Sequence, residues 1–232
     1  MSKDEFENKI NDFIKKISTY KKVEAVFNPW RESDKYDKKN LDTAEIRCKN
    51  LNNYLKERQN AKYILIGEAP GYRGCKFSGI PFTSERILEN NRNFKESDFK
   101  CTSDRKTTWA EPTATIVWKA MNELQISCTD WVAWNAFPFH PYNQEKGYLS
   151  NIKKKKGFKK NIELLEKSEG FLKDFINLFS SAIIITVGDR ATQALISINK
   201  EYKNKIKYTH VTHPANGGKK EFIKALRDYI KE

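Results

Sequence analysis

The order of apolar segments along the chain predicts an α/β protein of three layers (α/β/α), in which helices cover both faces of a central four-stranded parallel sheet. Four short apolar runs have the composition of buried strands, namely 63–66, 131–135, 182–187 and 208–212. Each is rich in β-branched or aromatic residues and ends at a turn or a polar residue. Helical patterns stand between them, and this alternation is typical of parallel sheets.

Apolar residues at three- and four-residue spacing identify the helices. Two such patterns, over 5–20 and 43–56, precede the first predicted strand. Pro112 is suited to the first position of a helix, and the pattern after it carries one apolar face. Further helices are expected over 162–179, 190–198 and 222–230. Because the chain shows neither an internal repeat nor a linker, residues 1–232 are expected to form a single domain.

The charge balance favours a polyanionic partner. Lysine and arginine number 43 against 30 aspartate and glutamate residues, which gives a net charge of +13. Each phosphate that a cationic side chain neutralises releases counterions, so such an excess is typical of proteins that bind nucleic acid. A generally basic proteome would produce the same excess without any role in nucleic-acid binding.

Neither a membrane partner nor a cofactor is expected. The longest apolar runs are far too short to cross a bilayer, and the charged start MSKDEFENKI has no apolar signal core, so a cytoplasmic location is predicted. No cysteine pair has the C-x-x-C spacing of a zinc or iron–sulfur site, so the cysteines are interpreted as free thiols. They are Cys48, Cys75, Cys101 and Cys128.

Functional groups in a parallel sheet gather beyond the carboxyl ends of the strands. The first strand runs into GEAPG, residues 67–71, where a Gly/Pro turn lets backbone N–H groups approach a ligand. An ordinary turn between strand and helix would have the same composition. In SGIPFTSE, residues 78–85, Phe82 stands near a predicted helix start, where its ring could stack on a base or belong to the core.

Polar residues also follow the second and fourth strands. Asn135 offers one donor and one acceptor, which suits the edge of a pyrimidine, although an asparagine there can also cap a strand. His213 stands at the tip of the last strand, before Pro214 and a flexible Asn-Gly-Gly turn. A lone histidine is usually structural, but we expect this one to stand at a strand end neighbouring that of Asn135.

Together these segments resemble the uracil-DNA glycosylase superfamily. GEAPG with the later GIPF is similar to its first motif, in the form found in the thermostable, iron–sulfur branch, although the cluster cysteines of that branch are missing. Asn135 matches the asparagine that reads the base, and His213–Pro214 resembles the start of the H-P-S motif, whose loop enters the minor groove. The resemblance covers the order of elements from about Lys62 to the C-terminus.

The resemblance implies a DNA glycosylase that flips a pyrimidine, most simply uracil, out of DNA and hydrolyses its N-glycosidic bond. The sugar becomes oxocarbenium-like and the base leaves as an anion, to which His213 would donate a hydrogen bond while Asn135 orients the base. The implied catalytic residues are Glu68, Asn135 and His213. The implied substrate-binding residues are Gly67, Ala69, Pro70, Gly71, Phe82 and His140.

Three departures from the family pattern bear on the chemistry. Ala69 stands where many relatives have a water-positioning aspartate, and the acidic pair that the iron–sulfur branch carries after GEAPG is absent. Glu68 is the only carboxylate inside the motif. It would either orient the attacking water or stabilise the sugar cation, or else it is a structural residue of the loop. Gly71 replaces the tyrosine that excludes thymine in uracil-specific relatives, which predicts room for a C5-substituted pyrimidine unless Tyr72 or Phe77 fills the space. Uracil stays the first expected substrate, and a role in defence against phage with hypermodified DNA would follow only from activity on such bases.

The DNA contacts are predicted from charge and from the loop after His213. The segment KKKKGFKK contributes Lys153, Lys154, Lys155, Lys156, Lys159 and Lys160, although a merely solvated loop would have the same composition. The turn and the residues after it contribute Ala215, Asn216, Gly217, Gly218, Lys219 and Lys220. The protein is expected to act as a monomer. The alternatives are a DNA-binding module of the same fold without catalysis, and an unrelated phosphate-handling enzyme, which the absence of G-x-x-x-x-G-K-[ST] disfavours.

Overall fold

The computed structural model describes residues 1–21, 26–90, 93–95, 98–141, 158–203, 205–215 and 217–230. The strands within these residues are β1 (Val26–Phe27), β2 (Tyr63–Gly67), β3 (Trp131–Asn135), β4 (His140–Pro141), β5 (Ile183–Val187) and β6 (Tyr208–Val211). Four of them form a parallel sheet in the order β3-β2-β5-β6. The predicted central sheet is therefore confirmed, with strand ends within one residue of the predicted ones.

The helices also follow the predicted order. The long ones are α1 (Lys3–Ser18), α2 (Thr43–Lys56), α5 (Pro112–Glu123), α6 (Phe158–Leu178), α7 (Asp189–Glu201) and α8 (Lys219–Ile230). There are also two single-turn helices, α3 (Cys75–Ser78) and α4 (Glu85–Leu88). The start of α4 lies close to the helix start predicted near Phe82, whereas α3 was not predicted, because four residues are too few to show a helical period. None of the helices that the structure describes has the length and apolar composition to span a bilayer.

Two tryptophans of β3 show how the layers are built. Successive side chains of a strand point to opposite faces, so Trp131 and Trp134 face opposite layers. Trp134 stacks on Phe175 of α6 at a centroid distance of 4.8 Å, whereas Trp131 meets Trp118 of α5 edge-on at 4.8 Å. Helices therefore cover both faces of the sheet, and the three-layer α/β/α architecture is confirmed. Asn135 shares the face of Trp131 and α5.

The register of the sheet brings the first two predicted motifs to the same level. Gly67, the last residue of β2, pairs with Asn135, the last residue of β3. The chain continues the pairing beyond both strands, since the N–H of Ala136 donates to the carbonyl of Gly67 at 2.8 Å and the N–H of Phe137 to that of Glu68 at 2.9 Å. The GEAPG loop is thus fixed directly beside the segment that follows β3.

Buried ion pairs hold the segments that surround this loop. Lys76 of α3 contacts Asp34 at 2.7 Å, and Arg47 of α2 contacts Asp37 at 3.0 Å, with all four side chains almost fully buried. Glu85 accepts hydrogen bonds from the backbone N–H groups of residues 102 and 103 at 2.7 and 2.8 Å. Removing one partner of such a buried pair leaves an uncompensated charge, so these contacts strongly favour one arrangement of the loops.

Candidate active site

The first part of the site is a close contact of three predicted residues. A Cβ atom placed on Gly67 would lie 2.5 Å from Cζ of Phe82 and 2.9 Å from Oδ1 of Asn135. The side chains of Phe82 and Asn135 therefore occupy space beside the Gly67 backbone that would not be available if residue 67 carried a side chain. Asn135 is 3% exposed and Phe82 is 7% exposed. An aromatic ring and an amide thus converge at the end of β2, and these are the two kinds of group that stack on and pair with a flat heterocycle.

Phe82 is held in an uncommon backbone conformation. Its φ of 51° lies in the left-handed region, which costs free energy for a residue with a side chain. The indole N–H of Trp118 donates to the carbonyl of Phe82 at 3.1 Å and to the hydroxyl of Thr83 at 3.3 Å. Helix α5 therefore fixes the turn that directs the Phe82 ring towards Gly67.

His213 stands on a different part of the sheet edge from the one expected. It follows β6, and both β2 and β5 separate β6 from β3, so the prediction that His213 and Asn135 occupy neighbouring strand ends is wrong. With about 4.8 Å between adjacent strands, the two strand ends lie roughly 14 Å apart. Asn135 and His213 therefore lie on opposite sides of the ends of β2 and β5.

The environment of His213 fixes its tautomer. The backbone N–H of Ala215 donates to Nδ1 of His213 at 3.2 Å, so in the neutral ring the proton belongs on Nε2. Burial lowers the pKa of His213, which keeps the ring neutral at physiological pH. A Cβ atom on Gly188, at the end of β5, would lie 3.2 Å from Cβ of His213, so this glycine lets the histidine pack against the strand end. His213 can therefore present a neutral N–H donor.

His140 lies beneath the GEAPG loop. It belongs to the two-residue strand β4, which pairs antiparallel with β1 and which the sequence did not predict. The side chain is 1% exposed, and Nδ1 contacts the carbonyl oxygen of Pro70 at 2.8 Å. Burial lowers the pKa of His140 to about 4, so the neutral ring donates this hydrogen bond. The predicted substrate-binding residue thus supports the backbone of the motif.

Glu111 is a site residue that the sequence reasoning missed. It immediately precedes Pro112 at the start of α5, and its carboxyl group lies against the GEAPG loop. A Cβ atom on Gly71 would lie 1.6 Å from Oε1 of Glu111, and one on Gly74 would lie 2.0 Å from Oε2. The absence of a side chain at Gly71 therefore does not leave an empty space. A glutamate before a helix-initiating proline is the only sequence signal that could have singled it out.

The remaining predicted residues fall into three groups. Glu68 and Ala69 are partly exposed on the loop after β2. Lys219 and Lys220 are exposed in the first turn of α8. In the turn before it, Ala215 donates to the ring of His213, Gly218 lies against the carbonyl of His213, and Gly217 is exposed. Lys153, Lys154, Lys155, Lys156 and Asn216 lie outside the described residues, as do the side chains of Lys159 and Lys160.

Two exposed arginines, Arg73 and Arg105, lie near the motif. Trp109 stacks on Phe77 of α3 and meets Tyr72 edge-on. The guanidinium carbon of Arg105 lies 3.8 Å from the centre of the Trp109 ring and that of Arg73 lies 5.7 Å from it. Both arginines are exposed, and among the described residues neither contacts a carboxylate. They form a cationic surface beside the GEAPG loop.

Fold and site together define an α/β protein whose candidate functional groups lie at the carboxyl edge of a parallel sheet. The family model of the uracil DNA glycosylase superfamily matches residues 55–230. The chain belongs to this superfamily, which confirms the predicted superfamily and supports a DNA glycosylase. The assignment to the branch with the GEAPG motif remains a prediction.

A solved structure shows the same fold over nearly the whole chain. Wild-type SMUG2 of Pedobacter heparinus superposes with a TM-score of 0.69, at 18% sequence identity, over 97% of each chain. At this identity the likeness concerns the fold alone. None of the curated proteins matches the chain.

Proposed function

We propose that the protein flips a pyrimidine out of DNA and hydrolyses its N-glycosidic bond, leaving an abasic site, and that uracil is its first substrate. The observation that carries the proposal is the convergence of the Phe82 ring and the Asn135 amide on Gly67. Phe82 stacks on the extruded base, and Asn135 pairs with its edge through one donor and one acceptor. These contacts offset the few kcal/mol that unstacking a base costs.

The neutral ring of His213, at the end of β6, stabilises the departing base. As the glycosidic bond lengthens, negative charge develops on the pyrimidine oxygens and positive charge on the sugar. His213 donates its Nε2 hydrogen to this developing anion, because Nδ1 already accepts from Ala215. The hydrogen bond from the neutral ring becomes stronger as negative charge grows on the base. In the ground state the ring keeps its proton. Such a group is of the oxyanion-hole type.

In this proposal, Glu68 is the carboxylate of the motif that takes part in the reaction. It follows Gly67 directly, and its carbonyl is fixed by Phe137. A carboxylate at this position either positions the attacking water or stabilises the cationic sugar. Pyrimidines with bulky C5 groups rank below uracil, because the Glu111 carboxyl occupies the space beside Gly71.

Single-turnover excision tests the proposal. We expect His213→Ala to slow the release of uracil from DNA by about a hundredfold or more while DNA affinity changes little, and Asn135→Ala to behave alike. His210→Ala is the matched control, since His210 lies on β6 three residues earlier and its ring contacts Thr192. An abasic product from wild type and from His210→Ala supports the glycosylase. DNA binding without product supports the inactive module instead, and a His213→Ala rate near wild type removes His213 from the mechanism.

A further inference from the structure

The surface beside the GEAPG loop contains a column of three stacked planar groups. The innermost is the fully buried ring of Phe77, on which Trp109 stacks at a centroid distance of 5.3 Å and an interplanar angle of 19°. The guanidinium carbon of Arg105 lies 3.8 Å from the centre of the Trp109 ring, which is van der Waals contact with the ring face. Because Phe77 is buried and Arg105 is exposed, they cover the inner and the outer face of the indole ring. The column therefore ends at the surface in a planar cation.

Neighbouring groups fix the outer end of this column. Nε of Arg105 donates to the carbonyl of Thr107 at 3.3 Å, which restricts rotation of the guanidinium group. Tyr36 and Tyr72 meet the Trp109 ring edge-on, at centroid distances of 5.8 and 5.6 Å, and so oppose tilting of the ring. A planar group that is already held in place loses little conformational entropy when a ligand stacks on it.

The buried carboxylate of Glu85 ties the column to the candidate active site. It accepts hydrogen bonds from the backbone N–H groups of residues 102 and 103 at 2.7 and 2.8 Å, and from that of Trp109 at 3.5 Å. Glu85 thus holds both ends of the segment that carries Arg105. It also follows Phe82 by three residues, so the column stands beside the turn that directs the Phe82 ring towards Gly67.

We propose that the exposed face of Arg105 is a platform on which an unpaired base of the DNA strand stacks, next to the nucleotide whose base is extruded. This inference rests on the proposed function, since it takes DNA as the substrate. Nucleobases stack on guanidinium planes as well as on aromatic rings, and every base offers such a face. Arg73 adds a second exposed cation, 5.7 Å from the centre of the Trp109 ring, which suits the phosphate of the stacked nucleotide.

Fluorescence of 2-aminopurine tests the platform. A single-stranded oligonucleotide carries one 2′-fluoroarabino uridine, which resists cleavage, and a 2-aminopurine directly before or directly after it. We expect wild type to quench the 2-aminopurine at one of these two positions, because stacking lowers its emission. Arg105→Lys keeps the charge without the plane, so it should lose the quenching, and its affinity should fall roughly fivefold or more. Arg31→Lys is the matched control, because Arg31 is also exposed but donates to the carbonyl of Thr19.

The outcomes separate failure of the platform from failure of the proposed function. Quenching that Arg105→Lys loses and Arg31→Lys keeps supports the platform. Absence of quenching at both positions, equal quenching by wild type and Arg105→Lys, or an equal loss in Arg31→Lys overturns it, and Arg105 then only shields the indole ring from water. Excision is measured separately on ordinary uracil in the same strand. An abasic product without quenching refutes the platform alone, whereas quenching that depends on Arg105 without an abasic product refutes the glycosylase alone.

Discussion

The carboxyl of Glu111 makes the free energy of unfolding depend on pH, and the variant Glu111→Gln should remove this contribution. Burial raises its pKa from an ordinary 4.5 to about 7 in the folded protein. The folded state therefore holds the proton more tightly than the unfolded state does. The resulting stabilisation is complete below the unfolded pKa and is lost as pH rises through about 7.

The size of this effect follows from the same shift. Full conversion of the pKa difference gives an upper limit of about 3 kcal/mol, and the partial exposure of Glu111 reduces it to roughly 1–2 kcal/mol. The coupled titratable group is the buried Cys75 thiol of α3, whose pKa is also raised, so it stays neutral across the range. The pKa values of His140 and His213 are lowered, and these rings contribute equally to wild type and variant.

Urea unfolding between about pH 5 and about pH 8 measures the effect. Glu111→Gln keeps the size of the side chain without an ionisable proton, so its stability relative to wild type should rise by about 1–2 kcal/mol across this interval. Glu166→Gln, on an exposed position of α6, is the control and should follow wild type throughout. If wild type and Glu111→Gln show parallel stability curves, the carboxyl does not carry the assigned proton.

Two further predictions concern DNA and chemistry. Arg73→Ala/Arg105→Ala should weaken binding to all DNA sequences alike and lower the slope of log affinity against log salt by about 2, since two phosphate contacts are lost. Lys9→Ala/Lys49→Ala removes the same charge from ion-paired sites on α1 and α2 and should leave the slope unchanged; equal slopes for both pairs would refute the contact. Glu68→Gln should slow single-turnover excision without changing affinity, and an unaltered rate would leave water positioning to other groups.

The elements that the sequence predicted are the long helices, which show an apolar period, and the strands that form continuous apolar runs. The bounds of all four strands of the sheet were predicted to within one residue, and β2, β3 and β5 are buried as expected for a parallel strand. The expectation that the fourth run is a buried strand is wrong, because β6 lies at the edge of the sheet, where His210 is exposed and only Val211 is buried. Helix α2 was predicted with its observed ends, Thr43–Lys56. The antiparallel pair β1 and β4 was missed, since two residues in each strand show no alternation, although His140 depends on it.

The site was predicted where one motif meets one strand end. Gly67 and Asn135 end paired strands, so strand-end reasoning brought them together correctly. The same reasoning placed His213 one strand end away from Asn135, because the order of helices and strands along the chain does not fix the order of strands in the sheet. Strand order depends on how the crossing helices pack, which only the folded structure reveals.

Glu111 shows why a motif alone misjudges empty space. A glycine in a motif removes a side chain from one position, but protein interiors are close-packed, so another element fills the volume. Here that element is α5, which lies 40 residues further along the chain and delivers a carboxyl to the places of Gly71 and Gly74. The identity of residue 71 therefore does not predict how much space lies beside the motif loop unless the identity of residue 111 is also known. Gly71 and Glu111 have to be read as one unit, and a change at either position should be judged by what the other then allows.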